Sequence, residues 1–323
     1  MSRRLTIGLA VSLAAGWLLV GMAAAAEVPW GEDKAATDLP LVFKGRASER
    51  LAAEEVARHD AYRKLVERVY GLGLDARTDV HDLALSSRTV DVAMQNELRG
   101  MKEVGTKYHE DGRVEMAVKI TMREVVEIIE RTVERVERGH RLVSEETLEN
   151  IKRENRDTEI IVVGRGALRG TNGLEKVRAM RAAETECYAR IGARVFGLQI
   201  SAETTVRDFA LSSDSIRSKV SVALLNGVRF TDYSFLDDGT CEATGELTIR
   251  EVVEVLTRTH RRYARGSKVK VEEIENLATK HRDLVIKEVG RGTTQHATEL
   301  APMPFTEHKT VMERVISREI AVE

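Results

Sequence analysis

The phrase REVVE occurs twice in this chain, opening REVVEIIERT at 123–132 and REVVEVLTRT at 250–259. It belongs to a longer repetition that restricts what the chain can fold into. VYGLGLDARTDVHDLALSS at 69–87 lies over VFGLQISAETTVRDFALSS at 195–213 without a gap, each position displaced by 126. Gly71 thus falls on Gly197, Asp82 on Asp208 and Ser87 on Ser213. One inserted residue then brings EDGRVEMAVKITMREVV at 110–126 over DDGTCEATGELTIREVV at 237–253, placing Gly112 on Gly239. A chain that spells a long segment twice is expected to fold it twice.

The connecting segments repeat as well. ENIKRENRDTEIIVVGRG at 149–166 matches ENLATKHRDLVIKEVGRG at 275–292, which reads as the opening of a third unit. Only 31 residues follow Gly292, so KTVMERVISREIAVE supplies at most the first helix of that unit. The four prolines stand at 29, 40, 302 and 304 and frame the two complete units.

Within a unit, two periodicities can be read. VEMAVKITM alternates, with Val114, Met116, Val118, Ile120 and Met122 on one side and Glu115, Lys119 and Thr121 on the other, the pattern of a half-buried antiparallel strand. Asp111-Gly112 and Asp238-Gly239 precede these strands and supply hairpin turns, where glycine tolerates positive φ. Ala57, Ala61, Leu65 and Val69 recur at spacing four, as do Ala183, Cys187, Ile191 and Val195, so one helical stripe faces inward in each unit. Gly71 and Gly197 close these helices. Ser86-Ser87 and Ser212-Ser213 stand where a second helix begins, with hydroxyls available to cap free N–H groups.

Each unit therefore reads as strand, long helix, strand, helix, two-stranded hairpin, helix. The fold class is α+β, in two tandem copies of a mixed or antiparallel sheet packed by helices. The expected organisation is a leader at 1–26, a linker at 27–40, a first module at 41–137, a helical linker at 138–157, a second module at 158–264, and a helical segment with an incomplete third module at 265–323.

The leader has the form of a secretory signal: Arg3 and Arg4, an apolar run from Leu5 to Met22, then Ala23 to Ala26. An Ala24-x-Ala26 ending puts cleavage before Glu27, and the absence of a cysteine there rules out lipid attachment at this site. An uncleaved anchor is the rival, because Leu5 to Ala26 is 22 largely apolar residues. Export implies a periplasmic protein, with outer-membrane association through partners or through a retained anchor.

Composition narrows the function. Removal of Arg3 and Arg4 takes the formal charge from −2 to −4, in a chain of 32% charged residues with interspersed signs, and no basic stripe for nucleic acid appears. With aromatic residues at 4%, stacking platforms for bases or sugars are not expected.

Few residues suggest chemistry. Cys187 and Cys241 align with Ala61 and Val114, both on inward stripes, so they read either as a disulfide of an oxidising compartment or as two buried free thiols. The eight histidines show no metal-ligand spacing. His81 near Asp82 and Ser86 hints at a triad, but Arg207 occupies the matching position of the second copy and cannot act as a base. GRGALRGTNG at 164–173 departs from the GxGxxG spacing and has no Walker lysine, so it reads as a strand-to-helix turn rather than a nucleotide loop. Asp82 and Asp208 occur in both copies without a second recurring group, which favours a role in fixing the backbone over acid–base work. No cofactor and no metal is expected.

The run AETECYARIGARVFGLQISAETTVRDFALSSDSIRSKVSVALLNGVRFTDYSFLDDGT carries the alanine-rich helix ending near Tyr188, then Gly197, TTVRDF, SDSI, Gly227 and DDG in that order. It resembles the twenty-kilodalton bacterial outer-membrane lipoprotein family, of LPP type. That family includes flagellar assembly protein P and is related to the amino-terminal domain of flagellar assembly protein T. The resemblance implies a non-catalytic α+β envelope domain, in several cases a building block of rings around the flagellar motor, and it brings no catalytic residues. The chain departs from that pattern in lacking the lipid-bearing cysteine and in being duplicated. The function expected is an exported, non-enzymatic envelope scaffold or assembly protein that self-associates or binds protein partners. The alternative is a periplasmic ligand-binding or sensing protein with a site between the modules.

Overall fold

The computed structural model describes residues 39–75, 78–99, 101–136, 143–155, 158–264, 267, 269–281 and 284–294. The leader and the expected helix of a third unit lie outside these residues.

The chain folds as α+β, with two three-stranded antiparallel sheets of order β1-β2-β3 and β4-β5-β6. The amino-terminal half comprises α1 (Ala47–Tyr70), α2 (Val80–Ser86), α3 (Arg88–Leu98), β1 (Lys102–Tyr108), β2 (Arg113–Thr121), α4 (Met122–Val136), α5 (Glu145–Glu154) and β3 (Glu159–Ala167). The same order of elements recurs in the carboxy-terminal half. It comprises α6 (Asn172–Phe196), α7 (Val206–Leu211), α8 (Asp214–Gly227), β4 (Arg229–Phe235), β5 (Cys241–Thr248), α9 (Ile249–Tyr263), α10 (Val271–Lys280) and β6 (Val285–Gly292).

The repeated REVVE has a local cause. Thr121 and Glu124 exchange hydrogen bonds at the start of α4 (Thr121 N to Glu124 Oε2 2.7 Å, Glu124 N to Thr121 Oγ1 3.2 Å), as do Thr248 and Glu251 at the start of α9. Each is a capping box that turns the central strand directly into a helix and satisfies two otherwise unpaired N–H groups. The valines that follow are buried, and they carry the helix back over the core.

VGRG, the other repeated phrase, lies inside a strand. It was expected at the head of the next module, in a strand-to-helix turn. Instead β3 pairs along its whole length with β2, Val118 facing Val162, and completes the first sheet; β6 pairs with β5 and completes the second. The first sheet therefore closes beyond residue 137, and the strand at 285–292 belongs to the second sheet rather than to a third unit. The glycines are needed because the long helix lies directly on this strand. A Cβ on Gly164 would overlap the backbone of Ala57 and Ala61, and one on Gly290 would overlap Ala183 and Cys187. Small residues face small residues, Ala53, Ala57 and Ala61 being buried against Gly164 and Gly166.

Three expected strands do not form. Residues 41–43, Leu41–Phe43, make a 3₁₀ turn that places Phe43 edge-on to Tyr108 with centroids 5.1 Å apart. The segment after each long helix contributes only one isolated bridge, Gly73 to Asp79 and Gln199 to Thr205. Both are loops whose polar residues start the next helix instead of extending a sheet. The hairpin turns do hold glycines at positive φ, Gly112 at 89° and Gly239 at 82°.

Candidate functional site

The densest concentration of buried charge lies where the two halves meet. It is built from the alternation of β3: Gly164 and Gly166 face the long helix, and Arg165 between them faces the other way. The Arg165 backbone N–H donates to Asp60 Oδ2 of α1 at 3.0 Å, which satisfies an edge-strand donor from the covering helix. Its side chain donates from Nε to Glu115 Oε1, the cross-strand neighbour, at 3.1 Å. It then reaches into the carboxy-terminal half, from Nη1 to Glu184 Oε1 of α6 and to Tyr233 Oη of β4, both at 3.2 Å. The guanidinium lies 4.3 Å from the centre of the Tyr233 ring, and Tyr233 in turn donates to Glu184.

Around this centre, Lys64 stands 3.3 Å from Asp60 and 3.8 Å from Glu184, and Arg181 of α6 stands 3.6 Å from Asp60. Burial works to raise Asp60 and Glu184. The cations outweigh it and hold both carboxyls below their ordinary range, Lys64, Arg63 and Arg181 at Asp60 and Lys64 with Arg165 at Glu184. Burial likewise opposes ionisation of Glu115, but the His109 hydrogen bond at 3.0 Å and Arg165 take it down to about 2.

A second clasp sits at the far end of α1. Asp79 and Asp82 form the capping box of α2, with Asp82 N donating to Asp79 Oδ1 at 2.7 Å. From the other half, Lys219 of α8 contacts Asp82, lies 3.3 Å from Asp79 Oδ1 and 2.9 Å from His81 Nδ1, and Tyr263 Oη donates to Asp82 Oδ1 at 2.7 Å. Burial raises Asp79 against the pull of Lys219. Asp82 ends below its ordinary range because Lys219, Tyr263 and Arg262 outweigh its burial. The guanidinium of Arg258 of α9 lies over Gly73, where a Cβ would make it shift, and a Cβ on Gly71 would stand 2.6 Å from that of Asn226.

The residues singled out from sequence fall into these surroundings unevenly. Asp82 lies in the second clasp, while Asp208 caps α7 by accepting from Thr205 N at 2.7 Å and meets no residue of the other half. Ser87 and Ser213 cap α3 and α8, accepting from Thr89 N and Ile216 N at 3.2 Å each. His81 packs against Tyr70, and Lys219 Nζ lies at hydrogen-bond distance, 2.9 Å, from its Nδ1. Cys187 and Cys241 are buried free thiols. Cys187 stands over Gly245 and donates to the Glu288 carbonyl at 3.3 Å, whereas Cys241 packs with Ala179, Met180 and Ala183. Burial pushes them up to about 11 and about 12, and each fills an apolar site.

In GRGALRGTNG the start of α6 is already occupied: Gly173 N donates to the Asp111 carbonyl at 2.8 Å, and Lys176 Nζ lies 2.9 Å from the Asp111 carboxylate. The Leu174 N–H is taken as well, donating to the Thr171 carbonyl at 3.1 Å. Among the described residues no three His, Cys, Asp or Glu side chains converge as a metal site, and no helix is long and apolar enough to cross a membrane. Clefts of about 730 Å³ along α3, about 520 Å³ at the tip of the second hairpin and about 360 Å³ beside α7 are each lined by residues of one half.

Arg165, Glu184, Tyr233 and Lys219 were not singled out from the sequence. The available signal was polar residues, Asp60 and Glu184, interrupting the otherwise small or apolar face of a long helix. No family model, no curated protein and no solved structure matches the chain.

Proposed function

We propose that the chain is a non-enzymatic, exported scaffold or assembly protein of the bacterial envelope, made of one α+β module written twice and locked into a single block. The observation that carries this reading is the Arg165–Glu184–Tyr233 network. The buried titratable groups described at the junction pair with one another across it. Duplication is supported by contacts displaced by 126 positions: Gly164 on Ala57 and Gly290 on Ala183, Arg165 N on Asp60 and Arg291 N on Glu186. The likeness of 183–240 to outer-membrane lipoproteins and flagellar assembly proteins, together with the leader, supports the envelope location. A ligand site between the modules loses support because the polar groups there pair across the junction.

The test is expression of the full chain, cell fractionation, mass measurement of the amino terminus and identification of envelope proteins that co-purify. The expected result is a periplasmic protein beginning at Glu27 that captures a defined envelope partner. Cytoplasmic protein retaining residues 1–26 would end the export reading. Capture of no envelope protein, together with a ligand-dependent melting shift, would end the scaffold reading.

A further inference from the structure

Two units that dock through one geometry present, at their outer ends, the same two faces again. Such heterologous contacts extend into open filaments or rings unless something stops them. Whether this chain continues the series through further copies of itself can be read from its outer faces. The question rests on the duplication proposed above.

In the junction, α6 of the carboxy-terminal half offers Arg181 to Asp60 and Glu184 to Arg165, a cation to an anion and an anion to a cation. At the outer end of the described second half, Glu186 takes the place of Asp60, its carboxylate bound by the Arg291 N–H, and Arg291 takes that of Arg165, with Nε on Glu242 Oε1 at 2.8 Å. That end keeps its signs. The free face of α1 does not: Glu55 stands where α6 has Arg181, and Arg58 stands where it has Glu184. Stacked in the same geometry, a second copy would set Glu55 against Glu186 and Arg58 against Arg291. Both of these attractions become repulsions, while the pairs matching Lys176–Asp111 and Arg262–Asp82, namely Arg50 with Asp238 and Arg135 with Asp208, keep their signs.

A steric difference points the same way. Gly173 touches the first hairpin so closely that a Cβ would lie 2.6 Å from the Asp111 carbonyl oxygen and from the Arg113 nitrogen, both backbone atoms. The matching residue on α1 is Ala47, which has that Cβ.

We infer that the described outer faces of the two halves are built to refuse one another, so the partner of this chain is not a second copy stacked end to end. Like charges and an unfittable Cβ reject the wrong neighbour at faces whose backbone shape would otherwise accept it. Terminal units of repeat arrays need outer faces of this kind.

The experiment uses the full chain as purified and a triple variant, Ala47→Gly/Glu55→Arg/Arg58→Glu, which gives α1 the residues of the docking face of α6. Molar mass is followed by light scattering and sedimentation across protein and salt concentration. The wild type is expected to hold one mass. The variant is expected to more than double its mass as concentration rises, and to fall back as salt screens the new pairs. If the triple variant does not fold by circular dichroism, Ala47→Gly/Arg58→Glu is expected to show the same shift in smaller measure. A folded variant that keeps the wild-type mass at every concentration overturns the inference, as do wild-type chains that grow through this face. Experimental coordinates in which the two halves fail to superpose would remove the duplication itself, a failure distinct from an unchanged mass in halves that do superpose.

Discussion

Arg165 and Arg291 occupy the same place in the same four-residue phrase, and in each the backbone N–H is held by a carboxylate of the long helix. Each also bonds a glutamate on the neighbouring strand, Glu115 or Glu242. Beyond that their circumstances part: the Arg165 side chain is 13% exposed and ends on Glu184 and Tyr233 of the other half, and that of Arg291 is 65% exposed. The difference teaches that the local fold sets the backbone role of this arginine and the neighbouring half sets its energetics. Removing one member of a buried pair strands the other, at a cost of about 3–5 kcal/mol, whereas exposed pairs are worth about 0–1 kcal/mol. Arg165→Ala or Glu184→Ala should therefore lower unfolding stability in urea by about 3–5 kcal/mol, and Arg291→Ala by less than about 1 kcal/mol. Equal losses at the two arginines would show that the junction contributes nothing specific.

The exit helices offer a second contrast, in pH dependence. Glu127 of α4 is 42% exposed beside Arg131, and its counterpart Glu254 of α9 is pushed up to about 7 by burial, against the opposing charge of Arg258. An acid whose folded value lies above its unfolded value of 4.5 contributes full stability below that value. The contribution is lost as pH rises through about 7. At 1.36 kcal/mol per unit the loss amounts to about 3 kcal/mol. Glu254→Gln should thus stabilise the protein by up to about 3 kcal/mol at pH 8 and leave it near wild type at pH 4. The same change at Glu127 should stay within about 0.5 kcal/mol. Urea unfolding at the two pH values checks both; a Glu254→Gln gain that does not grow with pH breaks the contrast.

What could be read in the sequence was what depends on neighbours along the chain. The alternation of 114–122, the glycine turns at 112 and 239, and the serine caps at 87 and 213 all rest on spacings of a few residues, and each is found in the structure. VGRG was misplaced because strand pairing is non-local: nothing in EIIVVGRGA tells whether it joins the sheet before it or the one after it. Its glycines looked like a loop because a close helix crossing and a flexible turn demand the same residue. The junction was hidden for a further reason. Glu184 in one copy and Arg58 in the other look like unremarkable surface variation until it is known which half lies against which.

The glycines that end the long helices show this limit most plainly. Both are expected to close a helix and both stand at its C-cap, but Gly71 has φ −73° and Gly197 φ −76°, values open to any residue. At Gly197 an added Cβ would meet nothing closer than 3.5 Å, so Gly197→Ala should be neutral or stabilising by up to about 1 kcal/mol through the unfolded chain. At Gly71 the same Cβ would lie 2.6 Å from the Asn226 Cβ of the opposite half. Gly71→Ala should therefore force α1 and α8 apart and cost about 1–3 kcal/mol. Thermal unfolding of the two variants separates the explanations. Matching losses at both positions would mean that helix termination, common to the two halves, is what the glycine serves, and a loss at Gly71 alone would locate its purpose in the contact between them.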